Sequence, residues 1–591
     1  MNKNRILGLA AVFAAVGIVS CTPEVEIKSS PTPSAGEADF TTYVALGNSL
    51  TAGYADGQLN RSGQINSYPA LLAESFRSVN PSLTFNQPLM PEGRLNETLV
   101  FSGFQPNGSP ILAQEEGGLG PEAFASISGQ GPFQNLGVPG ATVGSLLLQG
   151  YGSLNPYYGR FAEDNTLGAG SSIIADAAAQ QPTFFTLWIG NNDVLGYATS
   201  GGEEGAAANP LRNSITPTAT FKTYYEGIIA TLIGSNNSIE GALANIPDIE
   251  NIPFFQTVQW DDFELTVELA TAANAGLEAG FKAVVAEQAV RQAVIPAINA
   301  LIIPGVAREA VKQQIASSEP CSSSGDAQTC AEAAIQTGAF DNQINGLRDI
   351  LITEYAKAPA DRNTDYSDAY AAISNIYETQ VSNTLAAYNA GTLPDAQQQA
   401  LEQGINQATQ DNIAALKSAG LYPTFVEGPN GFLVDRTPTQ DNPLTFRQLT
   451  AEDLVTLRVA SAPASDFNPT GGDIILPGTY VLDAAEQQKV RDAIEAYNDI
   501  IEDVATTNTF ALVDANSLFD KVVTSGITTE GLTFSNSFIT GNAFSLDGVH
   551  LTPRGYALVA TYFIDAINSY YKAELPKPSV RDYDGVILET N

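Results

Sequence analysis

Histidine occurs once in the 591 residues of this chain, so any reaction that needs an imidazole runs through His550. It sits in Phe544-Ser-Leu-Asp-Gly-Val-His-Leu-Thr-Pro-Arg-Gly-Tyr556, three residues after Asp547 and just ahead of a helical pattern. On a compact turn that spacing brings a carboxylate beside the ring, where it fixes the tautomer and stabilises the protonated form. Taken alone, Asp-x-x-His is met more often as a capped helix start, with both residues serving backbone groups. A hydroxyl stands near the other end, in Gly47-Asn-Ser-Leu-Thr-Ala-Gly53, directly after a first strand. A serine at the carboxyl end of a parallel strand lies where such folds place ligands. There the amides of the following turn stabilise a developing negative charge. The turn is not a G-x-S-x-G elbow, because Thr51 fills the last position. Two further segments follow strands: Asn135-Leu-Gly-Val-Pro-Gly-Ala-Thr142 and Gly190-Asn-Asn-Asp193. Gly140 can offer a backbone N–H with no side chain in the way, and Asn192 its amide. Either segment by itself reads as a βα turn.

Elements that could bring these residues together follow from the patterning. Tyr43–Gly47, Phe133–Gly137 and Phe184–Gly190 are short apolar runs, with helical spacing at Tyr68–Phe76, Ser171–Gln180 and Phe221–Gly234. Strands alternating with helices predict a parallel sheet with both faces covered. Residues 261–420 change character: Leu265–Ala300 and Asn375–Lys417 are Ala/Gln/Glu-rich with helical spacing, which predicts a helical insertion whose apolar stripes are packing faces. Residues 421–480 read as irregular or β. The alternation then returns with a helix at Asp483–Ala505, a strand at Phe510–Asp514 and a helix at Arg554–Tyr571. The expected layout is a first core part at 40–260, the insertion, the 421–480 segment, a second core part at 481–575 and a tail at 576–591.

Composition removes several classes of function. The formal net charge of −37 repels a phosphate backbone, which excludes nucleic-acid binding. One histidine excludes a multi-His metal site. Charged residues make up only 15% of the chain, against about 25% in an average soluble domain, which suits an exported protein.

Together the four segments resemble the SGNH, or GDSL-type, hydrolase family, whose blocks carry Ser, Gly, Asn and His in that order. Here they are Gly-Asn-Ser-Leu, Val-Pro-Gly-Ala-Thr, Gly-Asn-Asn-Asp and Asp-Gly-Val-His. The resemblance covers both α/β portions and says nothing of the helices between them. It implies a flavodoxin-like three-layer core, interrupted by the insertion. It further implies Ser49 as nucleophile, His550 as general base and then acid, and Asp547 as the residue orienting His550. Ser49 N–H, Gly140 N–H and the Asn192 side chain would form the oxyanion hole. The expected reaction is hydrolysis of carboxylic esters, acyl or acetyl esters of a lipid or glycan, through an acyl-enzyme, with no metal or organic cofactor. The usual Asp before the serine is Asn48 here, which brings two donors where a carboxylate only accepts.

Residues 1–20 combine Lys3 and Arg5 with a short apolar run and a small residue before Cys21, the pattern of a secretory signal. Ser20-Cys21 resembles a bacterial lipobox, which implies a lipidated Cys21 and anchoring to a bacterial membrane, expected to be the outer one. Ordinary secretion is the alternative. Residues 21–39 are Pro/Ser/acid-rich and read as a flexible tether. Cys321 and Cys330 flank a short polar loop and are expected to form a disulfide in an oxidising compartment. The aromatic stretch Tyr151–Phe161 reads equally as a substrate cleft or as packing. Two non-enzymatic readings stand beside the esterase: a glycan-binding surface lipoprotein, and a structural lipoprotein with a degenerate hydrolase core. The first of these does not require Ser49, Asn192 and His550 to converge.

Overall fold

The computed structural model describes residues 32–104, 110–203, 214–435, 445–461 and 475–586; Cys21 and the signal segment lie outside them. Five parallel strands form the central sheet: β1 (Tyr43–Gly47), β2 (Asn135–Gly137), β3 (Phe184–Trp188), β4 (Glu240–Ala244) and β5 (Ala511–Val513). Side by side they run β2-β1-β3-β4-β5. That is the flavodoxin-like order, in which the chain reverses its direction of winding between β1 and β3 and opens a crevice there. Every residue of β1 and β3 is buried, because a parallel sheet covered on both faces has no polar side. The patterning missed β4, whose Glu-Gly-Ala-Leu-Ala has too little apolar bulk to read as a strand.

Before the insertion come α1 (Ser49–Ala52), α2 (Tyr68–Arg77), α3 (Asn192–Thr199) and α4 (Thr218–Ser235). The insertion carries α5 (Val267–Ala297), α6 (Ile303–Ala316), α7 (Ala327–Gln336), α8 (Asp341–Tyr355), α9 (Ser367–Asn389) and α10 (Asp395–Ser418). After it follow α11 (Ala484–Thr507), α12 (Ala515–Thr524) and α13 (Pro553–Tyr571). Tyr68 of α2 stacks on Phe563 of α13 at 4.6 Å, and Trp188 of β3 lies against both rings. Elsewhere on the sheet Phe221 of α4 stacks on Tyr497 of α11 at 3.9 Å.

Within the insertion, Phe281, Val285, Val290 and Val294 recur at helical spacing on α5 and pack with Val381, Leu401 and Ile405 of α9 and α10. A π-helical turn at Ile298–Ile302 joins α5 to α6. Cys321 and Cys330 form a disulfide with their Cα atoms 5.5 Å apart. At the base of the helices, Phe263–Leu265 pairs antiparallel with Gly428–Asn430, and Leu433–Asp435 runs between Phe446–Gln448 and Ile475–Leu476. An antiparallel hairpin, Leu99–Phe104 with Pro110–Gln114, was also invisible in the patterning. Residues at the end of the 21–39 segment lie on the core: Glu37 N–H donates to the Tyr571 carbonyl at 2.7 Å, and Ala38 is buried.

Gly47 pairs with Gly137 on one side and Trp188 on the other, so β1, β2 and β3 end level. The turns that follow them, carrying Ser49, Gly140 and Asn192, therefore leave the same edge of the sheet. A Cβ on Gly47 would fall 2.4 Å from the Trp188 carbonyl oxygen, so only glycine lets the chain leave β1 this close to β3.

Candidate active site

Ser49 opens the single turn α1, directly beyond β1. Asn48 caps that turn: its Oδ1 accepts from Leu50 N–H at 3.0 Å, and its Nδ2 donates to Asn191 Oδ1 at 3.0 Å. The second bond needs a donor, which a carboxylate at position 48 lacks. Asn48 thus ties the serine turn to the turn carrying Asn192.

His550 Nε2 lies 2.8 Å from Ser49 Oγ, and His550 Nδ1 lies 2.8 Å from Asp547 Oδ2. Hydroxyl, imidazole and carboxylate form one hydrogen-bonded line across 501 residues of chain. Asp547 also caps its own turn, with Oδ1 accepting from Val549 N–H at 2.9 Å and His550 N–H at 2.8 Å. The capped-turn reading and the catalytic reading of Asp-x-x-His therefore describe the same geometry. Gly57 N–H at 3.0 Å and Ser545 Oγ at 3.1 Å complete the carboxylate's shell. Burial pushes the Asp547 carboxyl up. The charge of His550 and these hydrogen bonds outweigh it and hold the group well below the usual carboxylate range.

Sequence reasoning gave no hint of the loop that braces this turn. Asp56 Oδ1 accepts from Leu546 N–H at 3.0 Å, Asp56 N–H donates to Ser545 Oγ at 3.0 Å, and the Tyr54 ring lies 4.6 Å from the His550 ring. Burial, with the neighbouring Asp547 charge, raises Asp56 to about 6 against the pull of Leu546 N–H and Arg94. In the aromatic stretch Tyr151, Tyr158 and Phe161 are buried packing residues, while half-buried Tyr157 sits 6.3 Å from Tyr54.

Asn192 shares a pocket with Ser49 and His550. One N–H of its carboxamide donates to Ala141 O at 2.9 Å, leaving the second for a ligand. Gly140 lies on the adjacent turn, outside the pocket lining, with φ of 78°, a conformation that favours glycine. Val138 N–H bonds the Gly47 carbonyl at 3.1 Å, which sets that turn beside Ser49. Among the described residues, the N–H groups of Ser49 and Gly140 bond no protein acceptor.

Asp193, the last residue of the Gly-Asn-Asn-Asp block, locks this edge. Its Oδ2 accepts from Val143 N–H at 2.9 Å and its Oδ1 from Thr216 Oγ1 at 2.7 Å, pinning the Gly140 turn to the start of α3. Burial drives its carboxyl up to about 7 despite both bonds. The folded chain therefore keeps a proton that the unfolded chain has lost between the ordinary carboxylate range and about 7. Stability from this group is full below that window and declines as pH rises through it. Asn in its place can accept from Val143 and donate to a reversed Thr216 hydroxyl. Asp193→Asn is thus expected to gain stability relative to wild type between about pH 4 and about pH 8 in urea unfolding. Parallel pH profiles for the two proteins would refute the burial effect.

Residues 43–295 match the GDSL-like Lipase/Acylhydrolase family, a span that holds Ser49, Gly140 and Asn192 and stops inside α5. The chain matches no curated protein and no solved structure. His550 lies beyond the matched span, and the fold returns it to Ser49 within hydrogen-bonding distance. Sheet order, family match and this contact agree: residues 43–295 carry a GDSL-like lipase/acylhydrolase domain, which marks the protein as a carboxylic ester hydrolase.

Proposed function

We propose that Ser49, His550 and Asp547 hydrolyse lipid or glycan esters through an acyl-enzyme. The observation that carries this reading is the line Ser49 Oγ, His550 Nε2, His550 Nδ1, Asp547 Oδ2, with 2.8 Å at each contact. Ser49 Oγ attacks the ester carbonyl as its proton passes to Nε2, and the C–O π pair moves onto the carbonyl oxygen. That oxyanion rests on the N–H groups of Ser49 and Gly140 and the free N–H of Asn192. Collapse expels the alcohol, which takes the proton from Nε2. Water then repeats the attack with His550 as base, freeing the acid and Ser49. Convergence of Ser49, His550, Asp547 and Asn192 favours this over the glycan-binding reading, which leaves it without purpose, and an unbroken hydrogen-bonded line argues against a degenerate core. A small alkyl fluorophosphonate should phosphonylate Ser49 in the wild-type protein. Absence of label, or label elsewhere, would remove Ser49 as nucleophile.

The sequence of residues 1–21 supports export and a lipid on Cys21 as a membrane anchor. Incorporation of a labelled fatty acid that survives Cys21→Ser would overturn that placement.

A further inference from the structure

The cavity onto which Ser49 and His550 open is small and apolar. Leu50, Leu195, Ile249, Ile252, Phe519 and Val549 supply its walls, with Asn192 at the reacting edge. Its volume is about 40 Å³. A water-sized group needs on the order of 10–15 Å³ by the same measure, so there is room for about three heavy atoms. Sites for drug-sized ligands run to about 300–1,000 Å³. An acetyl group has three heavy atoms, a butyryl five and an octanoyl nine.

The walls are not free to retreat. Ile249 and Ile252 are buried on the loop after β4, and that loop is pinned from several sides. Glu250, between them, pairs with Arg491 of α11 at 2.6 Å. Glu250 N–H and Asn251 Nδ2 donate to the two oxygens of Asp248, and Asn536 Nδ2 donates to Asn251 O at 3.2 Å. Phe519 is buried on α12 between the rings of Trp188 and Phe544, at 6.5 and 5.8 Å. Lengthening the guest must therefore push on packed side chains, and close-packed cores resist even one extra methylene.

On the reading that Ser49 is the nucleophile, we infer that this cavity is the acyl site. It restricts the enzyme to esters of short acids, acetyl and propionyl, and Ile249, Ile252 and Phe519 set the limit. The acyl group is the part that fits, since it stays bonded to Ser49 between the two half-reactions. A sugar or aryl alcohol is far larger than the cavity and has to lie and leave outside it. The enzyme so built reads the acid by size and leaves the alcohol to the surface around Tyr54 and Tyr157.

The test compares kcat/KM of the full chain on p-nitrophenyl acetate, butyrate and octanoate, which share one leaving group. A misfitting methylene in an apolar pocket costs about 10- to 200-fold. Butyrate is therefore expected at least about 10-fold below acetate, and octanoate at least about 100-fold below it. Ile249→Ala and Ile252→Ala should each raise the butyrate-to-acetate ratio by about 10-fold. Phe519→Leu serves in place of Phe519→Ala, whose large void endangers folding. Octanoate hydrolysed as fast as acetate, or ratios unmoved in both loop variants, would overturn the size limit. So would turnover of long-chain methyl esters with none of p-nitrophenyl acetate, which would put the alcohol in the cavity. Fluorophosphonate labelling of the same preparation separates the two levels. Labelled Ser49 with a long-chain preference defeats only the acyl limit, whereas an unlabelled Ser49 defeats the nucleophile assignment itself.

Discussion

Replacing Ser49 with alanine is expected to lower kcat for p-nitrophenyl acetate by about 10⁵–10⁶-fold. The change deletes the only atom that attacks the carbonyl, while the donors at Gly140 and Asn192 remain. Residual turnover of about 10³–10⁴ over water is therefore expected from the oxyanion site alone. Stability should scarcely move, because the substitution removes one hydrogen bond, to His550, worth about 1 kcal/mol net. Steady-state kinetics with a thermal melt on the same sample distinguishes lost chemistry from lost fold. A folded Ser49→Ala protein with near wild-type turnover would end the assignment.

Asp547→Asn should cost about 10⁴-fold in kcat with KM little changed, although the side chain keeps its shape. The reason lies in who donates to whom. Val549 N–H and His550 N–H both donate to Asp547 Oδ1, so the one oxygen of an asparagine must take that place. Its NH₂ is then forced into the position of Oδ2, facing His550 Nδ1. A donor there makes Nδ1 the acceptor and moves the ring proton to Nε2, aimed at Ser49. The imidazole can then no longer take the serine's proton. Gly57 N–H, left facing an NH₂, adds a structural penalty of about 1–3 kcal/mol. Unimpaired kcat in a folded Asp547→Asn protein would show that another group holds the His550 tautomer.

The legible parts of the sequence were those fixed by short-range physics. β1 and β3 announced themselves because burial on both faces makes their residues continuously apolar. α11 was legible as a helix over Asp483–Ala505, and the structure adds the Asp483–Glu486 capping box that starts it. The solitary histidine left no choice of base. The use of the Asn48 donors was not legible, since Asn191 is 143 positions away and no local pattern joins them. Asp56 and Gly57 stayed hidden for the same reason: across some 490 positions Asp56 bonds Ser545 and Leu546, and Gly57 bonds Asp547. Asp193 was in plain view as the last residue of its block, but its burial and its bonds to Val143 and Thr216 depend on packing, not spacing. The size of the acyl cavity was illegible outright, because Ile249, Phe519 and Val549 come from three separate parts of the chain.

Fifty times ten residues separate the serine from its base, and all of α5–α10 is spelled out between them. At about 5–20 residues per second, a ribosome that has made the serine needs on the order of 25–100 s to reach the histidine. Throughout that interval the nascent polypeptide carries a hydroxyl with nothing to deprotonate it. The hydrolase is thus born inert, and on this reading it stays so until His550 has been made and seated beside Ser49. Proteolysis that removes His550 together with α13 would return it to that silent condition.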